Sequence, residues 1–102
     1  VAGLYNPLHP AVVATIWETV SVCKAQGKPV SICGEAASIP NCACLFLAME
    51  VDRLSMNAAA IPAIKELIRS VSLQSIRPVL DRVLKAEEPG EIAKLLETAC
   101  HS

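Results

Sequence analysis

Charge of one sign never accumulates in this sequence. Nine Lys and Arg stand against ten Asp and Glu over 102 residues, a formal charge of −1, and the two signs are scattered along the chain. No basic patch is left for nucleic acid or anionic lipid, so neither partner is expected. Long apolar runs are missing too. The longest, Ala43-Cys44-Leu45-Phe46-Leu47-Ala48-Met49, falls far short of the roughly 20 residues that a membrane span requires. No basic segment with a cleavage site opens the chain, and a cytoplasmic protein is expected. The five cysteines are an odd number, and Cys42 and Cys44, two apart, point away from each other on a helix rather than toward one metal. Neither a zinc site nor a disulfide framework is expected. Repeats and low-complexity segments are also lacking.

What is abundant is aliphatic surface. The hydrophobic fraction is 53% with only 3% aromatics, and the mean hydropathy is +0.45. A single domain of this size buries roughly 65% of the surface of its unfolded chain, which leaves apolar residues over to face further protein. The chain opens at Val1, without methionine, on the loop punctuation of Gly3, Asn6-Pro7 and His9-Pro10. It therefore reads as the start of a fragment.

Val12, Val13, Ile16, Trp17, Val20 and Cys23 recur at helical spacing, predicting a helix over Pro10 to Gln26 with Gly27 as its positive-φ stop. Pro10 suits a first turn, and His9 just before it reads as a capping or loop residue. Lys28 to Ile32 reads as a short strand and Asn41 to Met49 as a helix apolar on nearly every face, which must be covered on both sides. Val51 to Met56 reads as a second strand, followed by a helix over Ala59 to Arg69 with Pro62 in its first turn. Strands separated by one helix lie parallel through a right-handed crossover. Two amphipathic helices, Leu73 to Ala86 and Glu91 to Ala99, complete the chain around Pro89-Gly90. Pro78 fits an opening turn better than an interior, which favours Ser75 over Ser72 as the cap.

Within this α/β, mostly helical layout, one residue stands where chemistry is done. Ser31-Ile32-Cys33-Gly34-Glu35 puts a cysteine at the carboxyl end of a strand and a glycine where the backbone must turn. In parallel α/β folds that end carries the active site, because the strand fixes the side chain and the following loop opens around it. Free cysteine is also among the most buried residue types, so packing is the competing reading.

Three separated stretches then resemble the phosphoenolpyruvate-binding barrel of Enzyme I, the phosphoenolpyruvate–protein phosphotransferase family. They are Leu4-Tyr5-Asn6-Pro7-Leu8-His9-Pro10, then Ile32-Cys33-Gly34-Glu35 after Gly27-Lys28, then Leu54-Ser55-Met56 with Ile61-Pro62 and Lys65 through Ile68-Arg69. The cysteine motif alone is shared with pyruvate phosphate dikinase and phosphoenolpyruvate synthase. His9-Pro10 and Ser55-Met56-Asn57 lean toward the nitrogen-regulatory branch rather than sugar transport. Two departures stand out: Ala36-Ala37-Ser38-Ile39 replaces the usual Leu-Ala-Gly-Asp, and Met49-Glu50 replaces a more usual Met-Gly.

The resemblance implies the last two βα units of a (β/α)₈ TIM-type barrel over about 1–71, followed by C-terminal helices over 72–102. It implies an intact enzyme that moves a phosphoryl group from phosphoenolpyruvate to its own histidine and on to a histidine-containing phosphocarrier protein. Cys33 would protonate carbon 3 of the pyruvate enolate, with Gly34 and Glu35 in the substrate loop. Magnesium is implied for the intact enzyme, with its acidic ligands, the substrate-clamping arginines and the phosphorylated histidine expected in segments before Val1. No metal or cofactor is expected on this chain, where Glu35 is a single carboxylate and Asp52 lies at the wrong end of its strand. The isolated chain is expected to be inactive and to form homo-oligomers. A stand-alone oligomerisation module is the alternative, and a redox protein using Cys33 is disfavoured because no resolving cysteine stands near it in sequence.

Overall fold

In the computed structural model, which describes residues 7–101, the central element is the helix that the sequence marks as apolar all round. The element order is α1 (Pro10–Ala25), β1 (Ser31–Cys33), a 3₁₀ turn (Glu35–Ser38), α2 (Pro40–Ala48), β2 (Arg53–Ser55), a 3₁₀ turn (Ala58–Ala60), α3 (Ile61–Ser70), α4 (Leu73–Lys85) and α5 (Pro89–His101). Helix α2 buries Cys42, Ala43, Cys44, Leu45, Phe46 and Ala48 because α3, α4, α5 and the first 3₁₀ turn all pack on it. Around it the core takes in Val13 and Val20 of α1, Ile64 and Leu67 of α3, Ile76, Leu80 and Val83 of α4, and Ile92 and Leu96 of α5. Leu4, Tyr5 and Asn6 of the opening motif lie outside the described residues.

The helix ends follow local chemistry. His9 caps α1: its Nδ1 accepts from the Ala11 N–H at 3.1 Å, and Pro10 occupies the first turn. Past the other end, Gly27 takes φ 69°, the left-handed conformation that ends a helix. Pro62 sits in the first turn of α3, as its spacing predicts. At α4 the outcome differs from the sequence expectation. Ser72, not Ser75, is the cap, accepting from the Gln74 N–H at 3.2 Å, and Pro78 lies inside the helix. Burial of Ile76 and Leu80 on either side of Pro78 outweighs one missing backbone bond.

The strands are parallel and in register, Ser31 beside Arg53, Ile32 beside Leu54 and Cys33 beside Ser55. Both are shorter than the sequence pattern predicts. Pro29 has no N–H to pair, and the Val30 N–H is taken by the Asp52 carboxylate at 2.7 Å. The Asp52 and Arg53 N–H groups both donate back to the Val30 carbonyl, at 2.9 and 3.2 Å. Asp52 thus fastens the amino ends of the two strands.

Two cysteines overturn an expectation. Cys44 of α2 and Cys100 of α5 form a disulfide, with Cα atoms 6.7 Å apart and a sequence separation of 56. Spacing arguments see only near neighbours, and this pair is assembled by the packing of α5 on α2.

Candidate functional site

Cys33 closes β1 and is exposed, so the structure places it at the carboxyl end of a parallel strand and not among the buried thiols. Side chains alternate along a strand. In both strands the middle residue, Ile32 or Leu54, is half-buried, and its neighbours Ser31, Cys33, Arg53 and Ser55 share an exposed face. Ordinary parallel sheets are covered on both faces. This one is bare on the side that carries the thiol, because α4 and α5 pack on α2.

The turn after Cys33 depends on Gly34, whose φ of 108° and ψ of −170° belong to a region open essentially to glycine alone. A Cβ there would meet nothing within 4 Å, so the requirement lies in the backbone and not in space. The Gly34 N–H donates to the Ser55 carbonyl at 3.3 Å and its own carbonyl accepts from Ala37 N–H at 3.2 Å, tying the turn to β2. Ser38 Oγ donates to the Glu35 carbonyl at 2.7 Å, and Ala37 is fully buried beneath the turn. The Ala36-Ala37-Ser38-Ile39 departure therefore still makes an ordered 3₁₀ turn.

These residues surround one cavity of about 340 Å³, lined by Cys33, Gly34, Glu35, Ser38, Ser55, Met56 and Asn57. All three residues marked in the sequence are brought together here. Ser38, Ser55 and Asn57 join them, and sequence reading gave them no role in the site. The available signal was register: two strands ending at equivalent points must bring Cys33 and Ser55 side by side. Chemically, the cavity offers one accessible thiol, one carboxylate, hydroxyl and amide groups, and a backbone turn held open by glycine.

Among the described residues no group of three or more His, Cys, Asp and Glu side chains could hold a metal ion. Magnesium demands a near-octahedral set of oxygens, and Glu35 is the only carboxylate lining the cavity. The residues present do not fit a magnesium site.

A thiol and a glycine turn thus lie together at the carboxyl ends of two parallel strands, and the comparisons with known proteins give the family of the chain. Residues 1–73 match the family described as PEP-utilising enzyme, PEP-binding domain, and the chain belongs to that family. Its relatives include the phosphoenolpyruvate-protein phosphotransferases of Haemophilus influenzae, 37% identical over 97 residues, and Cupriavidus necator, 36% identical over 96 residues. Those alignments cover 95% and 94% of this chain but 17% and 16% of the relatives. A protein of Archaeoglobus fulgidus named "Probable phosphoenolpyruvate synthase" is 36% identical over 83 residues, covering 78% of this chain and 11% of that protein. The chain spans about a sixth of the length of the phosphotransferases it matches.

Proposed function

We propose that this chain supplies the proton-donating end of a phosphoenolpyruvate-binding barrel, as the last two βα units and C-terminal helices of a phosphoenolpyruvate-protein phosphotransferase. The observation that carries the reading is the exposed Cys33 at the end of β1, on the open face of a parallel pair that has no third strand among the described residues. Such a sheet fits continuation into a larger barrel, where the bare face would turn inward and the strand ends would meet the substrate.

Loss of the phosphoryl group from phosphoenolpyruvate leaves pyruvate as its enolate, with electron density on carbon 3. Cys33 gives its proton to that carbon; a C–H bond forms, the S–H bond breaks, and the thiolate is reprotonated from solvent. A thiol held in position is a competent general acid toward a carbanion-like carbon. The Gly34 turn leaves the thiol accessible, and Glu35 and Asn57 offer polar contacts at the cavity wall. In the intact enzyme the phosphoryl group would pass through an enzyme histidine to a phosphocarrier protein. No step of this reading runs through magnesium.

The similarity to a phosphoenolpyruvate synthase supports a second reading with the same Cys33 chemistry and a different phosphoryl acceptor. In the full-length protein that contains this chain, Cys33→Ala is expected to lower pyruvate formation by about 10² to 10⁴ while leaving phosphoenolpyruvate binding, measured by calorimetry, nearly unchanged. Turnover at the wild-type rate would remove the general-acid role. Following labelled phosphoryl groups to a protein histidine or to another acceptor separates the two readings.

A further inference from the structure

The catalytic reading uses one cysteine of five; of the other four, Cys44 and Cys100 are joined to each other, and the fold buries both, at 0% and 9% exposure. Cys44 lies in α2, which begins immediately after the Glu35–Ser38 turn and packs against it. Cys100 lies one residue from the end of α5, the last helix, which is otherwise held on the core by Ile92 and Leu96. A covalent link between them closes 56 residues of chain and fixes the final helix to the helix behind the site turn.

We propose that Cys44 and Cys100 are a reversible redox clamp, oxidised by small-molecule disulfides of the glutathione class, that locks α5 onto α2. The terminal turn of a helix frays, which makes Cys100 the point of entry. Its thiolate attacks one sulfur of the small disulfide and expels one small thiol. Cys44, as thiolate, then attacks Sγ of Cys100, expelling the second. One S–S bond forms in the protein and one is lost from the oxidant; two electrons pass to the small molecule, and the two protein protons leave with its two thiols.

The other cysteines are placed so as not to compete. Cys42, two residues from Cys44 on the same helix, is turned about 200° away from it around the helix axis and remains a free thiol beside the formed bond. Cys33 is exposed on the sheet face. Cys23 is half-buried on α1. The free thiols and the clamp occupy different elements, apart from Cys42, which shares α2 with Cys44 but faces another way.

The test uses the whole 102-residue chain, equilibrated in buffers of graded reduced-to-oxidised glutathione ratio, quenched, unfolded, alkylated and weighed. Reducing buffers should leave all five cysteines open to alkylation, and oxidising buffers should remove two from the count, mapped by peptide mass to Cys44 and Cys100. Cys100→Ser and Cys44→Ala should each abolish the step, whereas Cys33→Ser should keep it. The oxidised chain should melt roughly 10 °C or more above the reduced one, as a long closed loop predicts. Five reactive thiols in every buffer, a glutathione adduct on Cys33 in place of the internal bond, or equal melting temperatures for the two forms would each overturn the proposal.

Discussion

At the scale of single residues, two side chains are held in states that their surroundings alone explain. Glu50 adopts φ 60°, a left-handed conformation that strains a side chain and that glycine would adopt freely. Its Oε1 accepts from Arg77 Nη2 at 2.6 Å, but both groups are exposed, and such a pair contributes at most about 1 kcal/mol. The other is Cys42. Desolvation by burial raises its thiol from 9.0 to about 11. Below pH 9 both the folded and unfolded chains keep the proton and the group has no effect on stability. Between pH 9 and 11 the unfolded chain releases the proton while the folded chain retains it, so stability falls as pH rises, by roughly 2–3 kcal/mol in all. Urea titrations from pH 8 to 11 should show this decline, and Cys42→Ala should flatten it while costing some core packing. An unchanged slope in the variant would mean that another group controls the alkaline limb. The Cys33 position was legible from sequence because strand, cysteine and glycine are adjacent; the Cys44–Cys100 pairing was not, since nothing local links residues that meet only when α5 docks.

At the scale of elements, the helices were legible to within a few residues because their apolar spacing matches what the fold buries. The strands were read too long. Hydrophobic pattern marks where a strand could run, whereas pairing marks where it does, and Pro29 with the Asp52 carboxylate on the Val30 N–H stops the ladder early. Helix α4 shows the opposite conflict, between a rule about proline and the burial of an amphipathic stripe. Pro78 removes the bond that its N–H would make to the Gln74 carbonyl, and its ring crowds that carbonyl. Because Pro78 is exposed, replacing it should cost no core contact. Pro78→Ala is therefore expected to stabilise the chain by about 1–2 kcal/mol. Ser72→Ala should destabilise it by about 1 kcal/mol by leaving the Gln74 N–H uncapped. Chemical denaturation of the two variants checks both signs. A destabilised Pro78→Ala protein would mean that the proline fixes the entry of α4 and is not merely tolerated.

At the scale of the whole molecule, the helices bury a core of their own while the sheet remains open. The radius of gyration, 12.9 Å, is that of an ordinary domain of this length, about 13 Å. The chain can therefore fold around α2 without resembling a finished barrel, which takes about 250 residues. Among the described residues the open parts are the bare face with Cys33 and Ser55, the strand edges, and an apolar groove beside β2. That groove, about 450 Å³, is walled by Leu54, Met56, Ile61, Ile64 and Ile68, with Ile61 and Ile68 at 39% and 40% exposure. Unpaired parallel edges seek backbone partners, and an apolar groove of this kind seeks a cover. The C-terminal helices could have supplied it by folding across the sheet, but they pack on α2. In the isolated chain the remaining cover is a second copy, so the chain should self-associate at micromolar concentration. Sedimentation equilibrium should give a mass above the 10.8 kDa monomer, and the double variant Ile61→Asp with Ile68→Asp should shift the population toward monomer without unfolding α3, since both side chains face solvent in the single copy. A clean monomer that binds no apolar dye would show that the groove and strand edges are satisfied within one chain, and would remove the main physical reason for expecting the sheet to continue into neighbouring βα units.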